Sequence, residues 1–322
     1  MKPGLLSAAA SLLLATSLLS AQPPHRDKPS VPRFHGPFIE NFTESTSGFF
    51  NYNVRQYGND FRYFSGVRSF TEAGTDVMMY RIDPSDSAGA GRGPEIISKD
   101  YTFYGTYAAR IRVPKVKDVQ PDAGAVVGYF TYNVDPEYGQ SEIDIEWLIA
   151  DPSIIYVGTW TGVRPAHNRV GRTINLADGT IYETVYRSEL AGADGTKETA
   201  FGGNLTGKQC MPRKITPIEN FDASERFYVY GWDWYPDRLT WWIIHPDTHE
   251  KIVLWDYEGK TLFPGQPSET GIPGIESRYR LNFWHTDNWP VETNPDSVEP
   301  PAYPFEMEVD WMSYEQFKYP EK

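Results

Sequence analysis

Cysteine occurs once in these 322 residues, at Cys210. A lone thiol cannot close an internal disulfide, and no paired-cysteine metal or redox motif is open to the chain. Its expected place is that of a small buried apolar residue. Basic residues are also few: 30 Lys and Arg stand against 43 Asp and Glu, for a net charge of -13. That deficit argues against nucleic acid as a partner, because phosphate binding needs a basic footprint. It equally disfavours an anionic membrane surface. A neutral partner is permitted. Long helix-period segments are scarce as well, which points away from bundles and α/β folds.

A long apolar run occurs once. Lys2 precedes it, Leu5 to Leu19 form it, and the small residues Ser20 and Ala21 follow. This pattern is expected to be a signal peptide over residues 1–21, since the run is short and serine-interrupted for a membrane span. Residues 22–35 are rich in proline and charge and are expected to be a disordered spacer before a folded domain over 36–322. The implied location is extracellular. The sequons at Asn41 and Asn204 then become candidate glycan sites on surface loops.

Aromatic residues are abundant, at 15%, with 10 Trp and 21 Tyr. They can be core mass, or they can stack on the apolar faces of sugars. Short runs rich in Val, Ile, Tyr, Phe and Trp recur between Gly, Pro, Asn and Asp clusters, the pattern of an all-β sandwich or barrel. Strands are expected over Thr106–Val113, Ala125–Tyr132, Ser141–Ile149, Ile154–Thr161, Tyr279–Trp284 and Phe305–Trp311. A hairpin is expected from Phe227–Tyr235 and Arg238–Ile244 across Pro236 and Asp237. The stretches 84–94, 263–274 and 290–304 read as loops.

The segment Ser141-Glu142-Ile143-Asp144-Ile145-Glu146-Trp147-Leu148 alternates with period two. On a strand, Glu142, Asp144 and Glu146 share one face, and Ile143, Ile145 and Trp147 share the other. A solvated strand face or a cation site would also show acids. Solvated faces usually mix in Lys, Ser and Thr, however, whereas three neighbouring acids repel and raise at least one pKa. Such a cost fits glycoside hydrolysis, which in its retaining form needs a nucleophilic carboxylate and a protonated acid about 5–5.5 Å apart. Residues four apart on a strand have Cα atoms roughly 13 Å apart, so the two Glu side chains must lean together. Asp144, between them, can tune which one holds the proton. Spacing alone does not say which Glu is the nucleophile.

Glu142-Ile143-Asp144-Ile145-Glu146 closely resembles the catalytic strand of glycoside hydrolase family 16, in the form without an inserted bulge residue found in lichenases and in plant and fungal transglycosylases. Further segments resemble the family in order. They are Tyr104 to Arg110, with Glu95 upstream; Gly128 to Tyr132; Phe221 to Ser224 with Tyr230 to Trp234; Leu281 to Trp284 with Asp287 to Trp289; and Val309 to Trp311. The resemblance covers roughly residues 95–315. It implies a jelly-roll β-sandwich, concanavalin A-like, with a cleft across its concave sheet.

It also implies that Glu142 is the nucleophile, Glu146 the general acid/base and Asp144 an assisting carboxylate. Glu95, Asn282, Trp284 and Trp289 become substrate-binding candidates and Phe130 and Trp160 lesser ones, with core packing the better reading for Phe130. No cofactor is implied, though a structural calcium near Asp310 is. The expected activity is retaining endo-hydrolysis of β-1,3/1,4- or β-1,3-linked glucan by a monomer. A transglycosylase using the same intermediate and a non-catalytic carbohydrate-binding module are the alternatives. The chain departs from the family in lacking the transglycosylase cysteines, in Ile149-Ala150-Asp151 after the motif, in a long insert from His167 to Lys214, and in the Pro-rich stretch Pro290 to Pro304.

Overall fold

The computed structural model describes residues 33–56, 76–82, 84, 93–191, 197–287, 289 and 297–317. The signal-peptide reading, most of the spacer reading and parts of the loops at 84–94 and 290–304 lie outside the described residues.

From Pro32 onward the chain forms one unit built on two antiparallel sheets. The first holds β1 (Phe38–Glu40), β3 (Met78–Ile82), β5 (Gly105–Arg112), β12 (Tyr228–Trp234), β13 (Arg238–Ile244), β14 (Lys251–Glu258) and β16 (Phe305–Gln316). Their order is β1-β16-β5-β12-β13-β14, with β3 also pairing β16. The second holds β2 (Phe50–Gln56), β4 (Gly93–Ser98), β6 (Ala125–Asp135), β7 (Gly139–Leu148), β8 (Ile154–Gly162), β9 (Ala166–Asn175), β10 (Ile181–Ala191), β11 (Lys197–Asn204) and β15 (Arg278–His285). Their order is β11-β10-β9-β8-β7-β6-β15-β4-β2. This is the expected all-β jelly-roll sandwich.

Alternation builds the core. On β7, Ile143, Ile145 and Trp147 are wholly buried between the sheets. From the facing sheet Trp232 packs at a tilt against Tyr129, with ring centroids 4.6 Å apart, and Tyr230 meets Trp147 edge-on at 4.6 Å. Several of the buried polar tips are paired across the core. Tyr129 and Tyr279 hydroxyls are 2.6 Å apart, and Tyr279 donates to the Ala108 carbonyl at 3.1 Å. Trp241 Nε1 donates to the Asp144 carbonyl at 3.1 Å. That last bond ties the backbone of the carboxylate strand to the opposite sheet and fixes its depth.

Every strand read from the sequence is present, and the final one runs on to Gln316. The insert from His167 is no loose excursion. It supplies β9, β10 and β11, which lengthen the second sheet beyond β8. Cys210 is not the core residue expected. It is half-buried, at the end of a surface 3-10 turn over Gly207–Cys210, where its thiol donates to the Gly207 carbonyl.

Candidate active site

The outer face of the second sheet carries the site. Antiparallel cross-strand partners project to the same side, so the register defines rows across the sheet. One row runs Glu95, Asn282, Gly128, Glu146, Tyr156, Thr173, Glu183. The next runs Ile97, Arg280, Phe130, Asp144, Gly158, Gly171. A third runs Arg278, Tyr132, Glu142, Trp160, Arg169, Arg187. The three motif carboxylates therefore stand together on one face, opposite the core. Glu95, Asn282, Trp160 and Trp284 share that face. Trp289 joins them through Tyr156, ring centroids 4.7 Å apart, and through Trp284 at 6.5 Å. These rings cover a small apolar patch of Val126, Leu148 and Ala150.

Gly158 lies opposite Asp144 for a steric reason. A Cβ there would come within 2.5 Å of the Val170 carbonyl, so only glycine fits beside the central acid. The floor next to Asp144 consequently stays open, and a groove runs past Asp144, Glu146, Tyr156, Trp160, Arg169 and Trp289.

Burial shifts all three acids upward. Glu142 is pushed from 4.5 to about 7, chiefly by desolvation, with a hydrogen bond from Gln140 and the nearby charge of Arg280 opposing the rise. Glu146 is pushed from 4.5 to about 8 by desolvation and by Glu142, with Arg169 opposing. Asp144 lies well above its ordinary value because it is desolvated and flanked by both Glu residues. Its bond to Glu142 lowers Glu142 and raises Asp144, which makes Asp144 the donor. Burial thus keeps protons on this coupled cluster into the neutral range, which leaves it able to hold an acid and a carboxylate side by side.

Glu95 is only 2% exposed and its carboxylate is held by Arg280, Nη1 to Oε1 3.1 Å. Desolvation raises its pKa while Arg280 opposes. Arg280 also lies over the Tyr132 ring, 4.9 Å from its centroid. Sequence reasoning missed Arg280, Gln140 and Arg169. The alternation of Arg278, Arg280, Asn282 and Trp284 could have placed Arg280 on the cleft face, but not against Glu95. Phe130 is a correction. It is 8% exposed yet pairs with Asp144 on the cleft face rather than joining the core between the sheets. Period two carries it opposite to its buried neighbour Tyr129.

Asp310 does not fit the calcium expectation. Its Oδ2 is 2.7 Å from Arg110 Nη1 on the neighbouring strand β5 of the first sheet, an ion pair that already engages the carboxylate. Among the described residues no group of three His, Cys, Asp or Glu side chains is placed to hold a metal. Asn41 and Asn204, the sequon residues, are both exposed.

No family model matches the chain. A curated β-glucanase of Paenibacillus polymyxa is 22% identical over 216 residues, 66% of this chain and 59% of its own length. The match therefore spans less than two thirds of that relative. Among solved structures, a Bacillus licheniformis β-glucanase aligns at 17% identity, covering 88% of this chain and all of its own, with a TM-score of 0.47. A Crh5 transglycosylase in complex with NAG aligns at 16% identity over 92% of this chain and 91% of its own, at 0.49. Scores at this level carry no argument about activity. The acidic strand motif on β7 accords with the likeness to a curated β-glucanase.

Proposed function

We propose that this chain is a secreted, monomeric endo-β-glucanase that cleaves β-1,3/1,4- or β-1,3-linked glucan with retention of configuration. The observation that carries the reading is the row of Glu142, Asp144 and Glu146 along the cleft face of β7, each flanked by aromatic or polar cleft residues. Glu142 attacks the anomeric carbon as the carboxylate, while protonated Glu146 gives its proton to the leaving oxygen. Water, deprotonated by Glu146, then releases the sugar from Glu142. Asp144 donates a hydrogen bond to Glu142 and holds it for attack. Trp160, Trp284 and Trp289 offer ring faces to sugars, and Asn282 offers polar atoms. Secretion is supported by the N-terminal pattern, and the exposed Asn41 and Asn204 are open to glycosylation.

The test is product analysis on barley mixed-linkage glucan, laminarin, xyloglucan and chitin oligosaccharides, with Glu142→Gln beside the wild type. Oligosaccharides with retained anomeric configuration, released by the wild type alone, are expected. Products longer than the input would replace hydrolysis with transglycosylation. Binding without turnover in both proteins would overturn the enzyme reading and leave a carbohydrate-binding module.

A further inference from the structure

We infer that strands β9 and β10 add a distal subsite to the cleft, a pocket walled by Tyr156, Arg169, Tyr182, Glu183, Arg187 and Trp289 that takes one uncharged glycosyl unit of the bound chain. This rests on the glucan-cleaving reading of the same cleft and concerns the insert where the chain departs from its family.

The pocket is continuous with the groove past Glu146, sharing Tyr156, Arg169, Glu183 and Trp289 with it. Its volume, about 380 Å³, is of the size that small-molecule sites have. It reaches β10, three strands from β7, or roughly 14 Å at the usual strand spacing. That places it beyond the reacting bond, along the row from Glu146 through Tyr156 and Thr173 to Glu183.

A bulge builds its far wall. The register of β9 with β10 shifts between Ile181 and Glu183, so Tyr182 has no cross-strand partner on β9. Bulges re-aim a side chain in this way, and they gather beside functional sites. Here both Tyr182 and Glu183 line the pocket, where regular alternation would send them to opposite faces.

The lining matches a neutral sugar. Tyr156, Tyr182 and Trp289 contribute limited ring surface, and the polar and charged groups that dominate the exposed lining supply donors and acceptors for hydroxyls. Arg187 Nη2 is 3.1 Å from Glu183 Oε2, whereas Arg169 Nη2 is 3.9 Å from Glu183 Oε1, too long for a hydrogen bond. Arg169 Nε is buried with no hydrogen-bond partner among the described residues, which leaves a donor to satisfy. The guanidinium lies over Trp160, 5.5 Å from its ring centroid. Glu183 lies between the two arginines and Glu189 acts on Arg169 from nearby, so most of the positive charge at the pocket is offset and a neutral sugar fits it.

The experiment measures binding by titration calorimetry to Glu142→Gln, using mixed-linkage β-glucan tri- to octasaccharides. Affinity is expected to rise with length until the pocket fills. The gain for the longer sugars is expected to shrink about tenfold when Tyr182→Ala or Arg187→Ala is added, with the trisaccharide less affected. Both side chains are partly exposed, at 42% for Tyr182 and 39% for Arg187, so either variant should fold. A length gain that survives both substitutions would overturn the subsite, as would tighter binding of 6-carboxylated oligosaccharides than of neutral ones. Length-dependent binding lost in both variants, with no cleavage by the wild type, would support the subsite while sinking the catalytic reading alone.

Discussion

Arg280 Nη1 lies 3.1 Å from Glu95 Oε1, in an ion pair whose carboxylate side chain is 3% exposed. The same guanidinium lowers the pKa of Glu142. One cation thus serves two acids in the cleft. Arg280→Met should leave Glu95 buried without its partner, and breaking such a pair costs about 3 kcal/mol. It should also raise the pKa of Glu142. Part of that rise is offset because Glu95, once alone, takes up a proton and stops repelling Glu142. The expected result is a lower denaturation midpoint together with an acidic limb of kcat/KM moved up by about half a pH unit. A midpoint that falls with an unmoved limb would mean that Arg280 supports the fold and does not tune Glu142.

The two glutamates set a narrow working window. Glu142 must be ionised to attack, so activity rises with pH through about 7. Glu146 must be protonated to assist departure, so activity falls through about 8. The pH profile of kcat/KM should therefore be a bell with its summit between these values, and its limbs belong to the coupled cluster rather than to single residues. Asp144→Ala removes the hydrogen bond that lowers Glu142. In that variant the acidic limb should move upward, narrowing the bell as it weakens it. A wild-type optimum near pH 5 would contradict this electrostatic account.

How much of this was legible beforehand follows from what each signal depends on. The carboxylate strand was readable because period two is a local property, and Ile143, Ile145 and Trp147 left the acids one face. The insert strands were not read as strands, since Ala166–Asn175 and Ile181–Ala191 lack the apolar alternation that marks a half-buried strand. Polar groups occupy both of their faces. Arg172, for example, is 2% exposed and bonds the carbonyls of Pro212 and Leu254. Arg280 was missed, and Phe130 was read as core, for another reason. Their faces follow from alternation, but their partners depend on register across β15, β6 and β7, which no local pattern encodes. The Arg110 beside Asp310 was not legible either, because a short acidic match says nothing about the arginine that the neighbouring strand brings to it.

Stability should itself depend on pH in a direction the cluster dictates. The pKa of Glu146 is raised in the folded chain, so its contribution is fully present below its ordinary value of 4.5 and is lost as pH rises through about 8. Glu142 acts in the same sense up to about 7. Glu146→Gln removes the charge that the fold must bury at alkaline pH. At about pH 9 the variant should be more stable than the wild type by roughly 2 kcal/mol, and at about pH 5 the two should nearly coincide. Denaturant titrations at the two pH values decide this. A variant less stable at both would show that the Glu146 side chain is held by favourable contacts and not strained by burial.

Gly128 offers a test of how the floor of the cleft positions Asn282. The two residues are cross-strand partners on β6 and β15, and Gly128 in turn faces Glu146 on β7. A Cβ at position 128 would come within 2.4 Å of Asn282 Oδ1, so one of the two must yield. The obstructing atom ends a side chain rather than belonging to backbone, and rotation of Asn282 relieves the clash at small cost to the fold. Gly128→Ala should therefore lower the melting temperature only slightly while raising KM for β-glucan several-fold. Asn282→Ala should raise KM by a similar factor. If displacement of Asn282 is the whole effect, the double variant should be no worse than either single one, because the second change removes nothing that remains. Additive losses in the double variant would instead mean that the added methyl group blocks the sugar directly, and that the glycine serves to clear space beside Glu146.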